Sequence, residues 1–402
     1  MSGPGHDVGW AELVGQDETV DVLRAAATAA ADRSHGRRER PGAMSHAWLF
    51  TGPPGSGRSV AARAFAAALQ CEHDAEPGCG TCAACHTVRA GTHPDVHSVV
   101  PEGLSISVAE MRGVVAIASR LPALGRWQVV VIEDADRLTE QASNALLKAI
   151  EEPPARTVFL LCAPSTHPDD ISLTVRSRCR LVALRIPPAA AVAAALERSG
   201  VEPGVAAWAA AAGQGHIGRS RRLVRDSDAR ARRAAVLAIP ASLTSLRACL
   251  DAADDLVAAA EAEAAALSGE LDAGETEALQ TALGAGGTGK GTATAARGTA
   301  GAVKELERRQ KSRSTRTQRD ALDRALVDLA AFYRDALLAG ARAGVAAAHP
   351  DLDDEVRAVA ARVGAPGVLR RLDAVLACRQ ALELNVKPRI AIEALTAALR
   401  LP

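Results

Sequence analysis

The chain has 402 residues, of which 23% are charged and only 2% aromatic, and its formal net charge is zero at pH 7. A chain of this length is expected to form about two or three domains. The balanced charge gives no global attraction to nucleic acid, and no apolar run approaches the roughly 18–20 residues that span a bilayer. The first residues lack a basic and apolar secretory signal. These features predict a cytoplasmic protein that does not enter a membrane.

The periodic stretch at residues 11–31 predicts the first helix, which follows a loop-like stretch at 14–17. An apolar run at 47–50 then predicts a buried strand, and residues 60–69 predict a helix. A glycine-rich turn joins the two and matches the phosphate-binding pattern G-x-x-x-x-G-K-[ST] at all but one position, where Arg58 replaces lysine. The candidate nucleotide-binding residues of this loop are Gly52, Pro53, Pro54, Gly55, Ser56, Gly57, Arg58 and Ser59.

We expect the arginine at this position to affect nucleotide hydrolysis more than nucleotide binding. A guanidinium is a wide, planar group, whereas lysine places a compact charge between the terminal phosphates. Backbone N–H groups and Ser59 could still hold a nucleotide, but aligned hydrolysis is not expected. The alternative is a strand–turn–helix whose glycines serve packing only.

Four cysteines follow the loop helix with the spacing C-x7-C-x2-C-x2-C, namely Cys71, Cys79, Cys82 and Cys85. Thiolates at such spacing suit a tetrahedral Zn²⁺ with no open position, so we predict a structural zinc site. His73, His86 and His93 are nearby substitutes, and four unrelated reduced cysteines are the alternative.

Further strands are predicted at 95–100, 127–132, 157–163 and 181–186, with helices at 107–121 and 138–152 between them. This alternation predicts a doubly wound parallel sheet with ligands at the carboxyl ends of its strands. Glu133 and Asp134 end the third strand, where carboxylates hold Mg²⁺ and polarise water in phosphate-loop enzymes. Their order is Glu-Asp rather than Asp-Glu, which changes the reach of each carboxylate by one methylene. Solvated acids that cap a strand are the alternative.

Strand signals end at residue 187, and alanine-rich helical segments continue to the end of the chain. We predict a compact helical unit to about residue 226, then a longer helical region from about 230. A Gly-, Ala- and Thr-rich stretch at 284–301 predicts a flexible loop. Residues 304–324 are rich in arginine and lysine, which fits either a solvated helix exterior or a nucleic-acid face.

Four segments together resemble the bacterial clamp-loader subunits, and among them most closely the delta-prime group. They are His46-Ala47-Trp48-Leu49-Phe50-Thr51-Gly52-Pro53-Pro54, the cysteine module, Asn144-Ala145-Leu146-Leu147-Lys148-Ala149-Ile150-Glu151-Glu152-Pro153-Pro154 and Ser177-Arg178-Cys179. The resemblance covers about the first 220 residues; residues 384–389 are similar to the end of a collar domain.

This resemblance implies an α/β AAA+ core at 1–186 with a parallel sheet, flanking helices and a zinc module at 71–85. It further implies a small helical lid at 187–229 and a helical collar at 230–402. Arg178 would act in trans as an arginine finger at a neighbouring ATP site. The implied partners are tau/gamma and delta subunits in a hetero-pentameric ring, with the sliding clamp and primer–template DNA reached through the complex.

Three departures from the ATP-hydrolysing pattern of that family predict a degenerate nucleotide site. They are Arg58, the order Glu133-Asp134, and Gly218 at the lid position where the family carries an arginine, with Arg219 one step away. Binding of ATP and Mg²⁺ therefore stays open. Two other functions are considered: an ATP-hydrolysing tau/gamma-type motor, and a zinc-containing nucleic-acid-binding protein outside any ring, which neutral charge and few aromatic residues disfavour.

Overall fold

A computed structural model describes residues 9–37, 43–282 and 292–400, with the backbone alone for 292–300. The chain divides into two compact units, residues 1–221 and 222–402. The predicted divisions after 186 and 229 remain predictions. Across the described ranges, no helix combines the length and the apolar character that a membrane crossing requires.

The described part of the first unit contains five strands and is built around their sheet. The strands are β1 (Ala47–Thr51), β2 (Val96–Val99), β3 (Gln128–Ile132), β4 (Thr157–Ala163) and β5 (Arg180–Ala183). Every pairing is parallel and the order is β2-β3-β4-β1-β5. The carboxyl ends of β1 and β3 therefore meet at one edge of the sheet, which places the glycine-rich loop and the acids after β3 on the same side.

Helices cover both faces of this sheet. The helices of the first unit are α1 (Asp17–Ser34), α2 (Arg58–Gln70), α3 (Ala83–Arg89), α4 (Val108–Ala118), α5 (Glu140–Glu151), α6 (Leu173–Arg176), α7 (Ala189–Arg198) and α8 (Pro203–Gly213). Alternation along β1 sends Trp48 and Phe50 into one apolar cluster with Phe65 of α2, and Leu49 into another with Leu146 of α5. All five β1 residues are buried, as a central parallel strand requires.

Helix α9 covers Ile217–Arg225, and the regular structure in the described part of the second unit is helical. Its helices are α10 (Ser227–Ser242), α11 (Leu246–Ala282), α12 (Thr292–Gly340), α13 (Asp353–Glu383) and α14 (Pro388–Arg400). Leu322, Phe332, Val375 and Ile392 lie in their shared apolar core. The predicted fold class, a parallel α/β sheet followed by a large helical part, is confirmed.

The predicted flexible loop at 284–301 is wrong for its second half. Residues 284–291 lie outside the described part of the chain, but residues 292–301 form the first turns of α12. Alanine and threonine in that half tolerate a helix, and only Gly298 and Gly301 interrupt a sequence that a long helix can carry through.

The basic stretch at 304–324 is in part committed to ion pairs with α11. Arg313 lies 2.8 Å from Asp272 and 2.9 Å from Glu275, and Arg324 lies 2.6 Å from Glu263. These arginines bind acidic side chains of the same unit, which favours the structural interpretation over a nucleic-acid face.

Candidate nucleotide cavity, cysteine cluster and surface arginine

The loop between β1 and α2 has the backbone of a phosphate-binding loop. Gly55 and Gly57 have φ values of 91° and 90°, in the left-handed region that residues with a Cβ rarely adopt. Gly57 precedes helix α2 as its N-cap, and the Ser56 N–H donates to the Pro53 carbonyl at 3.1 Å. The loop thus leads into a helix N-terminus, the arrangement that favours an anion.

A cavity of about 440 Å³ lies over this loop, inside the first unit. Four other parts of the chain line it besides Pro54, Gly55, Ser56, Gly57, Arg58 and Ser59: the segment before α1, the α2–β3 side, the segment after β5, and the segment around the start of α9. They contribute Glu12, Leu13, Val14, Gln16, Val60, Arg63, Glu133, Pro187, His216, Ile217, Gly218 and Arg221. The volume is of the size that small-molecule sites have.

Arg58 turns back onto its own loop. Its guanidinium donates to the Gly52 carbonyl oxygen at 2.7 Å. A lysine in the usual motif would instead extend toward the phosphates as a point charge. The arginine that stands in place of the motif lysine therefore forms a hydrogen bond with the backbone of its own loop.

Glu133 lies at the cavity, but its carboxylate is already engaged. It accepts from Arg63 of α2 at 3.0 Å and from the Ser98 hydroxyl at 3.4 Å. Asp134 has a left-handed backbone (φ 54°) and lies 4.0 Å from Arg137; it is not among the residues that line the cavity. The residues present therefore do not fit a Mg²⁺ ion, because the carboxylate that would ligate the metal is bound to an arginine.

Gln16, which the sequence did not single out, ties the loop to the end of β5. It is buried, and its side-chain amide donates to the Arg185 carbonyl at 2.5 Å and to the Ser56 carbonyl at 3.4 Å. The Ser56 hydroxyl is also buried and has no hydrogen-bond partner within the described ranges. Only the loop-like stretch at 14–17 hinted at a role for this segment.

Arg221 is another cavity residue that sequence reasoning missed. Gly218 and Arg221 both line the cavity, whereas Arg219 does not. Residues three apart share one face of a helix, so the i+3 spacing from Gly218 was the signal that could have identified Arg221. The α9 side of the cavity therefore carries an arginine one turn beyond the position that the resemblance gives to an arginine.

The cysteine cluster begins where α2 ends. The Cys71 sulfur lies 3.7 Å from that of Cys79 and 4.0 Å from that of Cys82. Ligand atoms of Cys71, His73, Cys79 and Cys82 all lie within 4.8 Å of one another. This is a group that could hold a metal ion.

Cys85 is the fourth predicted cysteine and lies beside this group. Its side chain is fully buried, and a hydrogen bond between the two thiols lowers the pKa of Cys71 to about 3 while it raises the pKa of Cys85. The backbone N–H of Cys85 also donates to the Cys82 sulfur at 3.4 Å. Cys85 thus lies beside the group but is not one of the four residues whose ligand atoms lie within 4.8 Å of one another, whereas the exposed His73 is.

Arg178 lies on the surface, two residues after α6, and is not among the residues that line the cavity. It donates to the Thr174 carbonyl at 2.9 Å and forms an ion pair with Glu151 at 2.7 Å. The Arg178 side chain is 37% exposed and that of Glu151 44%. This arginine is therefore held by a solvated contact, away from the chain's own loop.

The first unit thus combines a parallel five-stranded sheet with a glycine-rich loop that leads from β1 into a helix, and the described part of the second unit is helical. Residues 35–188 match the family model described as DNA polymerase III, delta subunit. The predicted resemblance to clamp-loader subunits is confirmed for this region.

Individual relatives are similar to the same part of the chain. DNA polymerase III subunit delta′ of Pseudomonas aeruginosa is 41% identical over 150 residues, which cover 37% of this chain and 45% of the relative. Subunit tau of Bacillus subtilis is 38% identical over 138 residues, 34% of this chain and 24% of the relative. The matches therefore span less than half of either relative. The Thermotoga maritima RuvB Holliday junction branch migration motor aligns with a TM-score of 0.37 at 20% identity, over 55% of this chain and 64% of that one.

Proposed function

We propose that this chain is a delta-prime-type subunit of the DNA polymerase III clamp loader and that it supplies Arg178 to the ATP site of a neighbouring tau/gamma subunit. The observation that carries the proposal is the position of Arg178, which is 37% exposed, is not among the residues that line the chain's own cavity, and forms its ion pair with the half-exposed carboxylate of Glu151. A cation meant for another chain must be reachable from outside.

The energetics of the Arg178–Glu151 pair support this role. An ion pair between solvated side chains contributes about 0–1 kcal/mol. Moving the Arg178 guanidinium from Glu151 to a phosphate of a neighbouring subunit therefore requires little free energy. A fixed guanidinium there stabilises the charge that develops during phosphoryl transfer.

The chain's own site supports the second part of the proposal, a degenerate nucleotide site. Arg58 is bound to the loop backbone and Glu133 to Arg63, so neither the motif cation nor the metal-binding carboxylate is available. Nucleotide binding remains compatible with this arrangement, but aligned hydrolysis requires both groups.

The partners follow from the relatives and are part of the proposal. They are tau/gamma and delta subunits in a hetero-pentameric ring in the cytoplasm, with the sliding clamp and primer–template DNA engaged by the complex. The near neutrality of the chain fits a subunit that reaches DNA through an assembly rather than alone.

For the metal we propose a structural Zn²⁺ held by Cys71, Cys79, Cys82 and Cys85. All four are buried, which suits a closed thiolate site, whereas His73 is exposed. Zinc would hold the segment between α2 and α3 in place; no step of ATP chemistry passes through it.

The ring itself is the test. The chain is reconstituted with its tau/gamma and delta partners, and clamp- and DNA-stimulated ATP turnover is measured for wild type and Arg178→Ala. An arginine finger contributes several orders of magnitude at one site, so we expect turnover at the neighbouring site to fall by at least about tenfold while the ring still assembles. Arg176→Ala is the matched control, since Arg176 is an exposed arginine of the same segment. Equal turnover in the two variants would reject the finger role.

The second candidate is an ATP-hydrolysing motor of the tau/gamma type, and the open cavity over an intact glycine loop is the observation that favours it. Steady-state ATP turnover by the isolated chain decides between the two. Turnover that Ser59→Ala abolishes would support the motor, and its absence supports the delta-prime-type role.

A further inference from the structure

The segment before α1, residues 9–16, reaches from the cysteine cluster to the cavity. Its Trp10 side chain is buried and lies in the same apolar cluster as Cys71, Cys79, Cys82 and Cys85. The Trp10 indole N–H donates to the Pro77 carbonyl oxygen at 3.2 Å. Because Pro77 lies between the first two cysteines, the beginning of segment 9–16 is attached to the loop that those cysteines hold.

The packing at this contact leaves no room for a side chain on either segment. A Cβ on Gly9 would lie 2.0 Å from the Gly78 carbonyl oxygen, and a Cβ on Gly78 would lie 2.5 Å from the indole nitrogen of Trp10. The two backbones therefore approach each other as closely as only glycine permits. A displacement of the loop around Gly78 cannot leave Trp10 in place.

A second contact attaches segment 9–16 to α3. Glu12 accepts a hydrogen bond from Arg89 at 2.9 Å, and Arg89 is the last residue of that helix. Helix α3 begins directly after Cys82 and contains Cys85. Both side chains of the ion pair are half-exposed, so it is weak, and Trp10 is the main anchor.

The other end of segment 9–16 forms a wall of the cavity. Four of its residues line the cavity, namely Glu12, Leu13, Val14 and Gln16. The buried Gln16 amide donates to the carbonyl oxygens of Ser56, at 3.4 Å, and Arg185, at 2.5 Å. The Leu13 N–H donates to the Trp10 carbonyl oxygen at 2.9 Å. A movement of Trp10 is therefore passed through contiguous contacts to the wall of the cavity.

We propose that Trp10 couples the cysteine cluster to the cavity: segment 9–16 closes over the glycine-rich loop while a metal holds the cluster together, and it opens when the metal is lost. The inference rests on the metal part of the proposed function and goes beyond it, because it gives the cluster a role at the cavity. Trp10 is a positioning residue, since it belongs neither to the metal-binding group nor to the cavity lining.

Hydrogen–deuterium exchange of the full-length chain tests the coupling. Zinc-loaded protein is compared with protein from which a chelator has removed the metal, and native mass spectrometry measures the metal content. We expect amide exchange in residues 11–16 to accelerate by at least about tenfold on metal removal, whereas β4 in the core should stay within about twofold. Unchanged exchange in residues 11–16 would overturn the inference. An equal acceleration in β4 would also overturn it, because the metal would then support the whole unit.

Trp10→Ala separates the anchor from the metal. This variant should retain zinc and yet exchange rapidly in residues 11–16, and chelation should then accelerate exchange there by no more than about twofold, since the coupled contact is already gone. Gly9→Ala displaces the same contact and should show the same pattern, which keeps the test decisive even where Trp10→Ala does not fold. Trp208→Ala, in α8 and outside the cavity lining, is the matched control and should behave as wild type does in residues 11–16.

The outcomes distinguish this inference from the proposals on which it rests. If chelation accelerates exchange in Trp10→Ala as strongly as in wild type, Trp10 does not carry the coupling and the inference is wrong. Wild-type protein that holds zinc but shows no change on chelation overturns the inference alone. Wild-type protein that binds no zinc overturns the inference and the proposed zinc site together. The ring assay on Arg178 decides the clamp-loader role separately.

Discussion

Helix α2 has a candidate site at each of its ends, and the two ends differ in how their polar groups are satisfied. At the N-terminus, Arg58 and Glu133 are bound to groups of the protein itself. At the C-terminus, about 20 Å away for a helix of 13 residues, cysteine sulfurs face one another at 3.7 and 4.0 Å.

The difference teaches which end requires a ligand. Converging thiols have no good partner in one another, since sulfur is a weak hydrogen-bond donor and acceptor, and a metal ion would satisfy all of them. Near the loop, Arg63 instead neutralises Glu133, and Arg58 donates to the Gly52 carbonyl oxygen. The cysteine end thus gathers groups that could hold a metal ion, whereas at the loop end Arg58 and Glu133 are engaged by groups of the protein itself.

The largest expected effect is at the cysteine end. Cys79→Ser should abolish metal binding and strongly lower the thermal stability of the first unit, because a structural zinc contributes about 10–16 kcal/mol of apparent binding energy. Native mass spectrometry should show one zinc in wild type that a chelator removes. Cys179→Ser is the control, since Cys179 lies outside the cluster. If the wild-type protein contained no metal, the interpretation of the cysteine end of α2 as a metal site would be wrong.

Two further variants test whether Cys85 or His73 completes the set of zinc ligands. Cys85→Ser should reduce zinc affinity severalfold or more, because a thiolate ligand is lost from a closed site, whereas His73→Asn should bind zinc as wild type does. Affinities come from competition with a chromophoric chelator. The reverse ranking would replace Cys85 by His73 in the set.

At the loop end, two glycines test how tightly the cavity is closed. Gly57→Ala should lower the free energy of unfolding by about 1–2 kcal/mol, the cost of a left-handed backbone in a residue with a Cβ. Gly55→Ala should lower it by a further ~1–3 kcal/mol from overpacking, because a Cβ there would lie 2.9 Å from the Cβ of His216. Urea denaturation measures both. Equal losses would mean that His216 does not close over the loop.

The smallest expected effect on stability is that of Arg63→Gln. The pair with Glu133 is half-exposed on the arginine side, so its loss should change the free energy of unfolding by no more than about 1 kcal/mol. The informative readout is metal dependence: with Glu133 released, Mg²⁺ should strengthen nucleotide binding in the variant and have little effect in wild type. A strong Mg²⁺ effect already in wild type would show that Glu133 leaves Arg63 for the metal.

The sequence predicts much of the first unit because its signals are local. An apolar run, a glycine loop and an alanine-rich segment led to β1, Gly55 and Gly57, and α2, and the cysteine spacing led to a cluster that is brought together. The sequence did not predict the contacts of Arg58 and Glu133, because folding brings their partners to them. Arg58 contacts Gly52 across the turn, and Glu133 contacts Arg63, which lies 70 positions earlier in the chain.

Arg221 and the stretch at 292–301 show two other limits. Comparison with a family motif directed attention to Gly218 and its immediate neighbour, but a helix presents the residue three positions later on the same face. Composition alone suggested a loop where α12 continues, because low complexity does not by itself prevent helix formation when alanine is frequent.

The most direct measurement compares two variants in the reconstituted ring. Arg178→Ala removes the cation offered to the neighbour, and Ser59→Ala disables the chain's own loop; ATP turnover is followed with clamp and primed DNA present. If this chain donates its arginine and does not hydrolyse ATP itself, the loss with Arg178→Ala should exceed that with Ser59→Ala by at least about tenfold. A larger loss with Ser59→Ala, with Arg178→Ala near wild type, would contradict the account and identify the chain as a motor.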